Sequence, residues 1–493
     1  MNRTTLAMVG SLVVLIGSVF LLSQSKSPST GQSEPLVLFC AASNRAVVDA
    51  IRADYKKEFG REVQVQYGPS QTLLATLEVT NTGDLFLPAD DSFLKMAKEK
   101  ELVSEVLPLA TMNAVVAVPK GNPKRIGSLA DLLQADLQFV QASAEAAAIG
   151  KLTREVLSRQ GSWNSLDQAT DAYRTTVTDV ANDVLVGAAD AGIVYDAVLH
   201  TYPGLEFVRI PELASAQSRV AVGVVKASKQ PTVALHFARY LAAAERGGKR
   251  YEEFGFAAEK AEIWSDVPEL AVFAGSMLRP AIDETIKAFE LREGVRVTTV
   301  YNGCGILVAQ MKTGQLPDAY FACDKEFMNQ VKEYFSASVD VSQNALVILV
   351  QKGNPLGIRS LKDLTRPGVR VGIGHEKQCA MGWITTNTFR EGGIQAEVMA
   401  NVTVQTPTGD MLVNQLRTGS LDAAVAYLSN AAGAAEYLDA VQITGIECSV
   451  ATQPWAIAAK SKFPLTTSRL FERICSAESQ DTFLAEGFRW QKN

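Results

Sequence analysis

Lys120-Gly121-Asn122-Pro123 recurs as Lys352-Gly353-Asn354-Pro355, 232 positions further along the chain. At the same offset Ser128-Leu129-Ala130-Asp131-Leu132 is matched by Ser360-Leu361-Lys362-Asp363-Leu364, and Gly187, Asp190 and Tyr195 by Gly419, Asp422 and Tyr427. One shared tetrapeptide could be chance. Matches held at one offset from Lys120 to Tyr195 indicate duplication. A period this long is far beyond the roughly 20–50 residues of solenoid repeats, and each copy is long enough to bury its own core. The expected organisation is an N-terminal segment (residues 1–34), a first folded unit (35–264) and a second (265–493), joined across Glu262–Glu269 with its Pro268.

The 493 residues carry 47 Lys and Arg against 53 Asp and Glu, a net charge of −6. That mild acidity argues against a nucleic-acid surface, which needs a basic stripe. It does not argue against a small anionic ligand, because a pocket can hold an anion with local dipoles. Near the N-terminus, Arg3 precedes an apolar run from Leu6 to Leu22, followed by a polar Ser/Pro/Gly-rich stretch, Ser23 to Pro35. This pattern predicts an export signal, with a weak small-residue cleavage site at Ser23 and Ser25, or a single membrane anchor with a tether. The rest of the chain is expected outside the cytoplasm, in the periplasm or its equivalent. Five of the six cysteines (Cys40, Cys304, Cys323, Cys379, Cys448, Cys475) fall in the second unit, so the shared architecture does not depend on disulfides.

Each unit opens with an apolar strand, Leu36–Phe39 or Leu270–Phe273, then a small-residue turn ending in Ser43 or Ser276. Val47, Val48, Ile51, Tyr55 and Phe59 follow at helical spacing, as do Ile282, Ile286 and Phe289 in the second unit, with Gly60 and Gly294 as stops. Further strands are predicted at 63–67 and 295–301, at 84–87 and 318–321, at 114–118 and 345–350, and at 137–140 and 369–373. Strand, turn and helix in this alternation predict an α/β fold with mostly parallel sheets. Each unit holds two such α/β lobes, with the chain crossing between them.

In sheets of this kind ligands bind beyond the carboxyl ends of the strands, where helices begin. Helix N-termini offer unpaired N–H groups and partial positive charge, and a small residue lets the backbone approach a ligand. Ser43, Ser70 and Ser276 stand at such turns. Each is either a hydroxyl donor to a ligand or simply the cap of its own helix.

Phe39-Cys40-Ala41-Ala42-Ser43, Tyr67-Gly68-Pro69-Ser70, the Lys-Gly-Asn-Pro phrase with its Ser-Leu-x-Asp-Leu, and Val194-Tyr195-Asp196-Ala197 together resemble the periplasmic molybdate-binding proteins of ABC importers. Ala274-Gly275-Ser276-Met277-Leu278-Arg279-Pro280 is similar to the tungstate/molybdate-binding branch. The resemblance implies two tandem periplasmic-binding-protein-like (type II) units, each a two-lobed clamshell with a hinge and a ligand cleft. It implies capture of a tetrahedral oxyanion by hydroxyls and backbone N–H groups, handed to an importer permease, with no cofactor. Carried over by position, the first cleft would use Ser43, Ser70, the backbone near Ile149 and Val180, and the Tyr195 hydroxyl. The second would use Ser276, the backbone near Met381 and Met411, and Tyr427.

The second unit departs from the first where Cys304 replaces Ser70 and Cys323 replaces Ala89, with Cys379 and His375 in the facing turn. A thiol donates more weakly than a hydroxyl. Three readings stay open here: a Cys304–Cys323 disulfide, buried free thiols, or a soft ligand such as a thiophilic metal ion held by Cys304, Cys323, Cys379 and His375.

No catalytic constellation stands out. His200, His236 and His375 are dispersed, no phosphate-binding glycine motif is present, and Asp90-Asp91 and Asp324 read more simply as helix caps than as an acid–base pair. An extracytoplasmic solute-binding protein is therefore expected ahead of a tethered sensor or scavenger, or an enzyme built on the same fold.

Overall fold

The structure, a computed structural model, describes residues 34–259 and 262–492. The apolar run 6–22, with Ser23 and Ser25, lies outside them. Among the described residues no helix is long and apolar enough to cross a membrane.

Strands β1 (Leu36–Ala41), β2 (Val63–Gly68), β3 (Leu85–Leu87), β4 (Val103–Pro119), β5 (Phe139–Ala142), β6 (Ala172–Arg174), β7 (Ala191–Tyr195), β8 (Leu205–Val208), β9 (Gln217–Val225) and β10 (Ala257–Ala258) form the first unit. Their order is β2-β1-β3-β9-β4-β7-β5-β6, with β8 and β10 paired to β4. The second unit repeats it. Strands β11 (Glu269–Gly275), β12 (Arg296–Asn302), β13 (Ala319–Phe321), β14 (Val339–Gln351), β15 (Val371–Gly374), β16 (Val402–Thr406), β17 (Ala423–Tyr427), β18 (Leu438–Gln442), β19 (Val450–Ile457) and β20 (Arg489–Trp490) run β12-β11-β13-β19-β14-β17-β15-β16.

The lobes follow from β4. Its first half pairs antiparallel with β9, and its second half with β7 and β8. Strands β1–β3 and β9 thus make one lobe, and β5–β8 the other. The chain crosses out along β4 and returns between β8 and β9; β14 does the same in the second unit. The apolar stretch 114–118 predicted only the outer part of β4. Strands β5 and β15 begin two residues later than their apolar stretches suggested.

The repeated phrases prove to be scaffold. Gly121 and Gly353 have φ of +87° and +82°, and Asn122 and Asn354 have φ of 43° and 47°, a left-handed region that Gly and Asn tolerate best. Each Asn side chain also brackets the turn, accepting from and donating to the backbone of Ile126 or Ile358. Ser128 with Asp131, and Ser360 with Asp363, form capping boxes. Asp190 and Asp422 each accept the N–H that opens the neighbouring strand, from Gln138 and Arg370.

The units meet along the helices Pro231–Ala242, Arg279–Glu293 and Pro464–Ile474. Arg469 grips the buried Glu293 carboxylate through two hydrogen bonds, 2.7 and 3.0 Å. Arg239, from the first unit, donates to the Glu293 carbonyl and stands 3.7 Å from its carboxylate. Nearer the edge, Arg292 makes a two-pronged contact with Glu105, and Glu262 accepts from the Thr466 N–H and hydroxyl.

Candidate functional site

Four chain segments that leave strand ends converge between the lobes of the first unit. The turn after β1 supplies Ala42 and Ser43. The helix Ser70–Thr80 begins after Pro69, Ala148–Arg159 after Ala147, and Val177–Leu185 after Thr176. With Tyr195 at the end of β7 they line a small cavity. Ala41, Gly68 and Ala89 complete the wall, and none of the lining residues is charged. Small side chains line these helix starts, and a helix start contributes partial positive charge worth about 0.3–1 kcal/mol to an anion.

Two hydroxyls are poised as donors. Ser70 Oγ accepts the Ala89 N–H at 3.1 Å, which leaves its own hydrogen to give. The Tyr195 hydroxyl is buried without a partner. Burial, and then the nearby Asp90, push its phenol far above the ordinary value, so it remains a protonated donor. Ser218 holds the adjacent turn, its one hydroxyl hydrogen shared between the Ala89 carbonyl (2.6 Å) and the Asp90 carboxylate (3.0 Å). The lobes touch at the rim, where the Gln71 N–H donates to the Ala146 carbonyl at 3.3 Å, so the cleft is closed.

Ser43, Ser70, Ile149 and Tyr195 are therefore brought together. Val180 is not among the lining residues. It sits a full turn inside its helix, its N–H bonded to the Thr176 carbonyl at 3.4 Å, and its side chain packs near Gly192. The cleft end of that helix is Thr176–Val177. The capping box of Thr176 with Asp179 was the readable signal for it.

The second unit has the same layout with different atoms. Cys304 opens the helix Cys304–Lys312 as Ser70 opens its own, and its Sγ accepts the Cys323 N–H at 3.1 Å, as Ser70 Oγ accepts that of Ala89. Ser276 stands at the turn after β11, Met381 in the first turn of the helix Ala380–Glu391, and Tyr427 ends β17 with its hydroxyl buried and unpartnered. Met411 is 48% exposed, on the outer side of the helix Gly409–Arg417. Thr408–Gly409 is the cleft end there. The lobes close through the Gly305 N–H to the Gln378 carbonyl, 3.0 Å. They approach so closely that a Cβ on Gly303 or Gly305 would lie 2.4 or 2.1 Å from a carbonyl oxygen of the facing turn.

Among the described residues no three His, Cys, Asp or Glu side chains are grouped to hold a metal ion. Cys304 and Cys323 are adjacent, but Cys379 lies against its own lobe's carbonyls of His375 and Thr406 (3.6 and 3.7 Å). His375 Nδ1 accepts the Lys377 N–H within its own turn. All six cysteines are free thiols.

The chain matches the family described as bacterial extracellular solute-binding protein twice, over residues 36–257 and 270–489. It is 31% identical to the molybdate-binding proteins of Mycobacterium bovis and Mycobacterium tuberculosis over 254 residues, which is 51% of this chain and 95% of theirs. A putative binding protein of Haemophilus influenzae is 26% identical over 228 residues, 45% of this chain and 90% of its own. Among solved structures, the substrate-binding domain of a putative molybdenum ABC transporter from Clostridium difficile aligns at 26% identity and TM-score 0.38, covering 46% of this chain and 100% of its own. The periplasmic molybdate-binding protein of Azotobacter vinelandii aligns at 15% identity and TM-score 0.41, also over 46% of this chain and 100% of its own.

Proposed function

This chain belongs to the bacterial extracellular solute-binding proteins, as two tandem copies, and on that premise we propose that its first cleft captures a fully deprotonated tetrahedral oxyanion of the molybdate class. The observation that carries this reading is the lining itself: helix starts and the hydroxyls of Ser43, Ser70 and Tyr195, with no charged side chain and no partner for the Tyr195 hydroxyl. An acceptor-only anion suits such a wall, and a protonated one would waste a donor against another donor. Ser43 and Tyr195 come from opposite lobes, so one anion contacting both favours closure.

Two serine hydroxyls with no base beside them suit capture rather than turnover. We assign the protein to the extracytoplasmic side, handing its anion to an ABC importer permease, with residues 6–22 as export signal or anchor. The second cleft, with a thiol at the place of Ser70, is a diverged site with weaker donors. Calorimetric titration of the full chain with molybdate, tungstate, sulfate and phosphate tests the reading. Binding of molybdate or tungstate that Tyr195→Phe and Ser70→Ala each weaken is expected. Binding of no oxyanion, or binding indifferent to both changes, would overturn it.

A further inference from the structure

The sulfurs of Cys304 and Cys323 stand 2.7 Å apart, and both side chains are buried. A disulfide bond spans about 2.05 Å, so a small rotation of either side chain joins them. The space is shaped for this pair. A Cβ on Gly275 would lie 2.1 Å from Cys323 Sγ and 3.2 Å from Cys304 Sγ. The first unit has Ala42 at that turn and Ala89 where Cys323 stands. A methyl has been removed at one position and a sulfur added at the other. The remaining four thiols lie elsewhere: Cys379 with carbonyls of its own lobe, Cys448 beside Thr388, Cys475 at the end of the helix Pro464–Ile474, and Cys40 in the first unit.

We propose that Cys304 and Cys323 form a reversible thiol–disulfide couple in the wall of the second cleft, a covalent modification site that the first unit lacks. The reaction partner is a disulfide of low molecular weight. Cys304 attacks one sulfur of that disulfide, forming a mixed disulfide and releasing one thiolate. Cys323 then gives up its proton and attacks Cys304 Sγ, releasing the second thiol. Two cysteines lose two electrons and two protons, and one disulfide becomes two thiols. The division of labour has support in the local electrostatics. Burial pushes the Cys304 thiol up, but the Cys323 thiol beside it and the Cys323 N–H that it accepts outweigh burial and leave it below its ordinary value. Cys323 is held well above its own by the hydrogen bond with Cys304 and by burial. With both thiols buried in the closed cleft, exchange belongs to the open form, and a ligand that keeps the cleft closed slows it.

The bridge stands on geometry alone; its effect on binding rests on the reading of this cleft as an oxyanion site. The full chain is equilibrated with oxidised and reduced glutathione at graded ratios, quenched with iodoacetamide, unfolded, alkylated and mapped by peptide mass. The expected result is loss of two of the six alkylatable cysteines, with Cys304 and Cys323 peptides joined, and no such loss in Cys323→Ala. Six alkylated cysteines at every ratio, or a bridge from Cys304 to Cys379, would overturn the proposal. A near-isosteric Cys304→Ser chain guards against misfolding as the cause of a lost bridge. Titrating the oxidised and reduced Ser70→Ala chain with molybdate is a separate arm. If the bridge forms and neither form binds at the second cleft, the couple stands and the oxyanion reading of that cleft fails.

Discussion

The two clefts share a backbone plan, keep Ser43/Ser276, Thr176/Thr408 and Tyr195/Tyr427, and differ at most of the other residues that face the ligand space. Where the first has Ala42, Pro69, Gln71 and Val177, the second has Gly275, Gly303, Gly305 and Gly409. At each of these glycines a Cβ would fall within about 2.6 Å of a neighbouring atom. Where the first has Ser70 and Ala89, the second has two thiols. Side-chain volume has moved from the helix starts to sulfurs and to the opposing lobe. The Lys-Gly-Asn-Pro and Ser-Leu-x-Asp-Leu phrases held constant at one offset, meanwhile, are turn and cap hardware outside the cleft lining, and of the residues at that offset Thr176/Thr408 and Tyr195/Tyr427 stand at the cleft. Duplication preserved what folds each unit and let part of each cleft wall drift.

The seam between units repeats the lesson. Phe59 and Glu293 each stand just before the glycine that ends the corresponding helix, and His236 and Arg469 each stand five residues after the proline that begins theirs. In the first unit the pair is aromatic, Phe59 edge-on to His236 at 4.9 Å. In the second it is a buried ion pair. Breaking it should give the largest effect of any single change: Glu293→Ala leaves two arginines facing a buried gap and should cost about 3–5 kcal/mol in urea unfolding. Next comes the first cleft, where Tyr195→Phe or Ser70→Ala should cost about 1.5–3 kcal/mol of oxyanion affinity, roughly tenfold to a hundredfold by calorimetry. Tyr427→Phe should leave the affinity of that cleft unchanged. Gly275→Ala should destabilise the second unit by about 1–3 kcal/mol through overpacking, and adding Cys323→Ala should restore much of it; equal loss in single and double variants would break the link drawn between those two positions.

The smallest effect is electrostatic. Burial raises the Glu105 carboxyl, but the hydrogen bonds and charge of Arg292 outweigh it and hold it below the usual carboxylate range. The folded state therefore binds this proton less readily than the unfolded chain. The stabilisation is complete above the ordinary value near pH ~4.3 and is lost as pH falls through the depressed one. Arg292→Gln should remove on the order of 1 kcal/mol at neutral pH and flatten that part of the acid-unfolding profile.

Much of the fold was legible because duplication shows the same grammar twice: apolar strands, stops at Gly60 and Gly294, and the capping phrases all lie where periodicity and turn chemistry put them. The site was legible at the serines and tyrosines, whose residue type and strand-end position speak together. It was not legible at Val180 and Met411, because a backbone donor carries no side-chain signature and a slip of two or three residues along a helix moves it out of reach. Nor could sequence show that Gly275 and Cys323 share one space, since 48 positions separate them and only the parallel pairing of β11 with β13 brings them together.

The grip of Arg239 and Arg469 on Glu293 bears on how the protein can be taken apart. A first unit produced alone would carry Arg239 on its outside with its partner gone, and a second unit alone would keep its own Arg469–Glu293 pair intact. The halves are thus unequal as independent pieces: the second keeps its buried Arg469–Glu293 pair and loses only the Glu105 partner of Arg292 at the edge, while the first uncovers Arg239 in the middle of its cut face with no carboxylate of its own unit against it.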